Sequence, residues 1–479
     1  MLWLALHFPL LPLEVLPLRQ SPSAVIARGR VLVGDAQAEA AGVRAGQKLS
    51  TALGLVPGLA VFERDLSREQ PALEQLACWA GRFTPTVCLL PPEELLLEIG
   101  GCLRLFGGIE AVAAAVVAGC VGQAYTPGWA VAPTPLGARW LARRGKGAVL
   151  QEQAGMQTAL AGLPCELSGW SATVLDRLES FGMRRLGDLR QVPAAGLRRR
   201  IGNEAVDDLL RAWGDLPDPQ NPFIFPEHFE LKLELPSRVE HAEALLFAGQ
   251  RLFASLSGWL QVRQQLARQC RLILTHDDGP HSELILRFAE PSADEARFIR
   301  LLREYLGRLR LAAPVEALCL QADELVERPG NSIPLFDQPP AGEGASACLE
   351  RLRARLGEKA VRALAQVADH RPECATREHD PDFNFGQNFG LTVAKTAPRP
   401  LWLLPTPQAL VERSGSPHWH GPLKLMTRSE RLESGWWDEG ERRATGDVRR
   451  DYFVARNPLG QWAWIFRDAE GWFLHGLFA

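Results

Sequence analysis

A chain of 479 residues is long enough for several separately cored domains. Its 46% hydrophobic and 23% charged residues are globular in proportion, and no apolar run is long enough to make a transmembrane helix. A net charge of −3 excludes a uniformly basic nucleic-acid binder, so any such contact must come from local clusters of Lys and Arg. The nine cysteines are scattered from Cys78 to Cys374, odd in number and without C-x-x-C spacing. They fit free thiols in a reducing cytoplasm better than a disulfide frame or a zinc site. The apolar opening, Leu2–Leu18, is broken by Pro9, Pro12 and Pro17 and has no basic flank, so it does not read as a signal peptide.

In chain order, Leu2–Phe8 reads as a buried strand stopped by Pro9. Thr86–Leu90 and Leu95–Ile99 make a hairpin, with Glu93 and Glu94 near its turn. An apolar helix runs from Ile109 to about Cys120, and Val131–Arg144 is the end of a strand running into an arginine-rich helix. Such a mixture predicts an α+β domain around a sheet. From Ser171 short helices take over: Val174–Phe181, then Leu186–Val192, a turn over Gly196–Ile201, and a helix through Trp213 capped by Asn203. After the prolines at 217, 219, 222 and 226, strands Phe229–Leu235, Cys270–Thr275, Glu283–Phe288 and Glu316–Ala322 interleave with helices Ala242–Leu266 and Ser292–Leu309. The order is β-α-β-β-α-β. Residues 329–345 are a Pro-, Gly- and Ser-rich linker, followed by a charged helix over Ala347–Val367. The last 85 residues hold seven of the 14 tryptophans, which predicts a small β-rich module or a partner surface.

The segment Leu178–Leu189, with Gly182 between two short helices, resembles a helix-hairpin-helix, a turn whose backbone N–H groups can hold a phosphate. A palm-like α+β region, this hairpin and a β-α-β-β-α-β module together resemble the Y-family DNA polymerases over residues 1–328. Further stretches are similar to the inactive ImuB group of that family. They are Leu2–Pro9, Asp369–Glu373, Glu433–Asp438, Val448–Arg456 and Trp472–Phe478. The resemblance implies an α+β multidomain fold: palm-like 1–10 and 77–165, fingers-like 11–76, thumb-like 166–228 and little-finger-like 229–328. A linker at 329–345 and a Trp-rich C-terminal partner-binding region at 346–479 follow.

Polymerisation by this family needs two metal ions held by carboxylates. The resemblance sets Ala5 at the first-strand ligand and His7 at the neighbouring family Asp. Glu93 and Glu94 stand at the hairpin pair, now without a bridging third carboxylate. On a buried strand His7 is expected to be packed and hydrogen-bonded, and Glu93-Glu94 to be a solvated turn. In the fingers, a Tyr and an Arg precede a Gly-Val-x-x-Gly turn. Here the turn is Gly42–Gly46, and the two positions are Ala36 and Glu39, an acid where a triphosphate needs a base. A palm-loop Lys is replaced by Pro135. The expectation is a degenerate polymerase with no catalytic residues, metal or cofactor.

What remains is contact. Ser332, Ile333, Pro334, Leu335 and Phe336 are similar to the short motif that docks into a sliding clamp, although Ser332, or Asn331, stands where that motif has Gln. Gly182, Arg184, Arg198, Arg199 and Arg200 are the candidate DNA contacts. DNA binding is expected to be weak and non-specific, because residues 226–328 carry 13 Lys or Arg against 16 Asp or Glu. The resemblance implies a cytoplasmic adaptor, recruited to the nucleoid in SOS-induced translesion synthesis. Its partners would be the sliding clamp, a RecA-like companion (ImuA) and an error-prone C-family polymerase. Two rivals stand beside it: an active translesion polymerase using Glu93 and Glu94 with a substitute ligand, and a repair protein using only the hairpin.

Overall fold

Every residue of Leu2–Leu6, and Phe8 beyond it, is buried, and alternation sends their side chains to two different cores. The strand Trp3–His7 is the centre of a five-stranded sheet, antiparallel to Glu94–Glu98 on one side and Gly128–Ala132 on the other. Val87–Leu90 and the parallel Ala148–Val149 form its edges. On one face Leu2, Leu4, Leu6 and Phe8 join helices Leu66–Ala80 and Ile109–Gly122. On the other, Trp3 and Ala5 join helix Pro135–Arg143. The computed structural model describes residues 1–16, 21–328, 345–367, 369–379, 399–434 and 448–478. These fall into two units, Met1–Arg355 and Leu356–Ala479.

Inserted after the first strand is a small sheet in the order Arg30–Gly34, Ser23–Ala27, Ala60–Glu63, with its own core of Ala24, Ile26, Val31, Ala38, Val43, Ala52 and Leu59. Helices Gln153–Ala161, Ala172–Ser180, Leu186–Arg190, Ala194–Ile201 and Asn203–Trp213 share the core of helix Pro135–Arg143. Two expectations change here. Gly196–Ile201 belongs to a full helix, and Asn203 is the first helical residue rather than the cap. The cap is Gly202, whose φ of 94° only glycine adopts without strain.

The β-α-β-β-α-β segment forms one antiparallel sheet, ordered Ser282–Ser292, Gln265–His276, Val315–Glu327, Glu230–Val239, with helices Leu245–Val262 and Glu295–Leu306 in its core. Helix Leu245–Val262 lies directly against helix Leu66–Ala80. A Cβ at Gly258 would sit 2.3 Å from the Cys78 carbonyl oxygen and 2.6 Å from that of Trp79, so the two backbones touch where glycine alone fits. Arg82 pairs with Glu295, and Arg68 with Glu234 at 2.9 Å, across the same junction.

The expected charged helix stops at Leu356, where Gly357 adopts φ 100°, and residues Ala363–Gln366 form a strand instead, paired with Thr376–His379. The helix packs on the four-stranded module through Ala354 and an Arg297–Glu350 ion pair at 2.6 Å. The second unit is β-rich. Its main sheet runs Ser416–His418, Trp402–Arg413, Trp472–Leu477, Trp462–Arg467, Val448–Arg456, Lys424–Leu425, with Glu430–Ser434 also on Val448–Arg456. The architecture is α+β and multidomain, with a C-terminal β region.

Candidate functional site

The register of the central sheet brings the expected palm residues together. His7 stands opposite Glu94, and Ala5 opposite Leu96 one rung further on, all on the face covered by helix Pro135–Arg143. Ala5 is 1% exposed and packed among apolar side chains, so this position offers no carboxylate. His7 is packed and hydrogen-bonded, its Nε2 lying 3.2 Å from Glu93 Oε1.

Glu94 departs from the solvated turn read from the sequence. It is a strand residue, 4% exposed, and both carboxylate oxygens are occupied. Arg143 Nε donates to Oε1 at 2.6 Å, and its second nitrogen donates to Oε2 at 3.2 Å. Arg139 Nε donates to Oε2 at 2.8 Å. Burial alone would raise this carboxyl's pKa. The Arg143 hydrogen bond and charge, helped by Arg139, outweigh burial and hold it below the ordinary value. A buried carboxylate must be paired, and two guanidiniums pair it here. Both Glu94 oxygens are thus already engaged by guanidiniums, which any approaching cation would have to displace.

Sequence reasoning missed Arg139 and Arg143. The signal was present, because arginines four apart on one helix share a face, here the face turned to the sheet. Arg143 reaches further and donates to the Leu167 carbonyl at 3.0 Å. It passes over Gly169, where a Cβ would lie 2.5 Å from the guanidinium. Pro135 is the buried first residue of the same helix, capped by Thr134, and Pro at this position is unstrained. Two clefts among the described residues, of about 670 and 1050 Å³, are not lined by Ala5, Glu93 or Glu94. Among the described residues no group of three His, Cys, Asp or Glu is placed to hold a metal ion.

In the small sheet region, Ala36 opens helix Ala36–Ala40 beneath an Asp35 cap, and both Ala36 and Glu39 are exposed. The Gly42–Gly46 turn has φ of 96° and 83° at its glycines, and Arg44 donates to the Glu39 carbonyl across it.

The helix-hairpin-helix forms, with Gly182 at φ 74°. Its backbone N–H groups are spent internally. Those of Gly182 and Met183 bond Glu179 and Leu178, those of Arg184 and Arg185 bond the Asp188 carboxylate, and that of Leu186 bonds Leu163. Any phosphate contact there falls to side chains. Arg198 pairs with Asp207 at 2.6 Å, and Arg200 lies over the Phe181 ring at 5.2 Å. Ser332, Ile333, Pro334, Leu335 and Phe336 lie outside the described residues. No helix among the described residues is long and apolar enough to cross a membrane.

The impB/mucB/samB family model matches residues 13–143. Protein ImuB of Caulobacter vibrioides, from strains NA1000 and ATCC 19089, is 27% identical over 480 residues, covering 91% of this chain and all of the relative. The chain is ImuB-like. Solved structures similar to it include DinB from Sulfolobus solfataricus, at 17% identity and TM-score 0.39, and a Dbh ternary complex, at 18% and 0.40. Each covers 68% of this chain and 100% of the other. In this ImuB-like chain the matched family segment takes in Ala36, Glu39, Glu93, Glu94, Pro135 and both arginines of the Glu94 cluster.

Three of the ImuB-like stretches also meet in space. Asp369 cradles Arg371 at 2.8 Å, and the turn that follows brings Glu373 to Arg450 at 2.9 Å. Arg450 donates to the Tyr452 hydroxyl at 3.1 Å, which lies 2.8 Å from His475 Nδ1. Burial first, with Arg450 adding repulsion, brings His475 down to about 4 against the pull of Glu373.

Proposed function

We propose that this protein is a non-catalytic adaptor in SOS-induced translesion synthesis and mutagenesis. It would hold a sliding clamp, a RecA-like companion of the ImuA type and an error-prone C-family polymerase at damaged DNA. The observation that carries the non-catalytic half is the occupation of Glu94 by Arg139 and Arg143. Metal-dependent phosphoryl transfer needs two cations bridging the attacking and leaving oxygens. With Ala5 apolar and Glu94 saturated, this face of the sheet holds guanidiniums where the metals would stand. Residues 1–10 and 77–165 then serve as a palm-like body without chemistry. Residues 11–76 are fingers-like, 166–228 thumb-like and 229–328 little-finger-like.

The adaptor half rests on the ImuB-like resemblance and on the linker motif at Leu335 and Phe336. An extended segment can reach an apolar pocket on a clamp without dragging the body along. DNA contact, weak and sequence-independent, is assigned to the arginine side chains of the thumb-like segment.

The test is a primed template supplied with all four dNTPs and either Mg²⁺ or Mn²⁺. The expected result is no extension. Extension that vanishes in Glu94→Ala would show a working metal site and overturn the reading in favour of an active polymerase.

A further inference from the structure

The C-terminal sheet has one end unlike the rest of its surface. Strand register places the start of Trp402–Arg413, the ends of Val448–Arg456 and Trp472–Leu477, and the start of Trp462–Arg467 in one row. There Trp402 pairs with Leu477 and Leu477 with Ala463 on one face, and Arg456 with Trp462 and Lys424 on the other, so the two indoles border this end from opposite faces of the sheet. Trp402 is 70% exposed and Trp462 39%, whereas Tyr452, Trp464 and Trp472 of the same unit are buried. Leu459, in the turn between two of these strands, is 73% exposed.

The charge at this end is mainly positive: Arg399 is paired with Glu430 at 2.6 Å, and three further cations have no such partner. Lys424, Arg428 and Arg456 are exposed, and no described residue forms an ion pair with any of them. No Asp or Glu occurs in residues 399–403, 421–428, 454–462 or 476–478, the segments that build it. The Arg456 guanidinium lies 5.7 Å from the Trp462 ring centroid and is steadied by the Gly460 carbonyl at 3.3 Å. Exposed rings beside unpaired cations, with Glu430 already engaged by Arg399, match a polyanion whose monomers carry flat apolar faces. Unstacked bases on a phosphate backbone have that chemistry.

We propose that this end of the sheet binds single-stranded DNA, with bases stacking on Trp402 and Trp462 and phosphates held by Lys424, Arg428 and Arg456. An acidic, apolar polypeptide would also find complementary charge. The two exposed indoles and the cation held against one of them favour bases, which every strand of DNA supplies regardless of sequence. The choice of DNA over RNA rests on the mutagenesis reading above. The binding itself does not, and it is separate from the arginines of the helix-hairpin-helix.

The test titrates the full chain with (dT)20, with (rU)20 and with a 20-base-pair duplex, following tryptophan fluorescence and anisotropy. The expected result is quenching by (dT)20, with (rU)20 no tighter. Trp402→Ala combined with Trp462→Ala should weaken (dT)20 binding by about tenfold or more, leave duplex affinity unchanged, and keep the melting temperature, since Trp402 is largely exposed. Lys424→Glu with Arg428→Glu should do the same through charge, with folding equally untouched. Unchanged (dT)20 affinity in both double variants would overturn the proposal, as would an equal loss for duplex and single strand. Tighter binding of (rU)20 would replace DNA by RNA as the ligand. Failure here leaves the absence of primer extension standing, because Glu94 plays no part in it.

Discussion

Glu94 decides what the central sheet can do, and its partners decide what Glu94 can do. Removing one member of a buried ion cluster leaves an uncompensated charge, which costs about 3 to 5 kcal/mol. Arg143→Ala strips Glu94 of its closest donor and leaves the Leu167 carbonyl without its partner. We expect a loss of about 3 kcal/mol in denaturant unfolding, with no rescue by Mg²⁺. A melting temperature of the unaltered protein that rises with Mg²⁺ would contradict the cluster's assignment. Because the Glu94 pKa is lowered by folding, its stabilisation is complete above its ordinary value and fades as pH falls through the folded one. His475 adds a second acid sensitivity in a higher window. Its folded value, about 4, lies below the ordinary 6.5, so from pH 6.5 downward the unfolded chain takes up a proton that the folded chain refuses. The C-terminal unit should lose roughly 3 kcal/mol between pH 6.5 and 4. His475→Gln should flatten the unfolding curve in that interval alone, and an unchanged slope would mean the imidazole is already charged in the folded unit.

At the scale of elements, the arginines of helix Ala194–Ile201 divide by what they touch. Arg198 is held by Asp207 and Arg200 by the Phe181 ring, while Arg199, between them on the helix, has no such anchor. Arg199→Ala is expected to lower the slope of log duplex affinity against log salt by about one, and Arg198→Ala to change stability more than the slope. Anisotropy titrations across a salt series read this directly, and equal slopes for Arg199→Ala and the unaltered chain would remove Arg199 from the contact. The strands and helices around these residues were mostly legible, because the apolar alternation of Leu2–Phe8 and the period-3.6 pattern of Leu245–Val262 report burial directly. What the sequence hid was long-range. Nothing local in Pro135–Arg143 says that its arginines face Glu94, and the hairpin's spent N–H groups follow from Asp188 folding back onto residues 184 and 185. The charged pattern past Ala347 read as one long helix, since strand Ala363–Gln366 exists only through its pairing with Thr376–His379.

For the molecule as a whole, the proposed adaptor role divides between the body over residues 1–328 and the motif at residues 332–336. If clamp contact is made by the linker, Leu335→Ala with Phe336→Ala should abolish clamp binding, since truncating such anchors commonly costs about 2 kcal/mol or more each. The melting curve should stay where it is. Retained clamp affinity would sink the motif, and a large fall in melting temperature would make the two residues part of a core. The docking of helix Leu245–Val262 on helix Leu66–Ala80 can be tested separately. Gly258→Leu drives a side chain into the Cys78 and Trp79 carbonyls and should lower stability by several kcal/mol, as overpacking at a backbone contact does.

The arginines on Glu94 bear on whether such a protein can travel back toward an enzyme. A metal site can be lost one ligand at a time and regained the same way only while its place stays empty. On the reading proposed above, Arg139 and Arg143 fill that place. An aspartate returned at Ala5 would sit diagonally across the sheet from Glu94, on a face whose positive charge is already supplied by the chain itself. Its first effect would be to bury another carboxylate beside arginine, with no reward in turnover until Arg139 and Arg143 had gone as well. Their removal, taken first, would cost stability. On the non-catalytic reading proposed above, each single step is uphill, and the absence of chemistry would be held as by a ratchet through the same two side chains that pair Glu94.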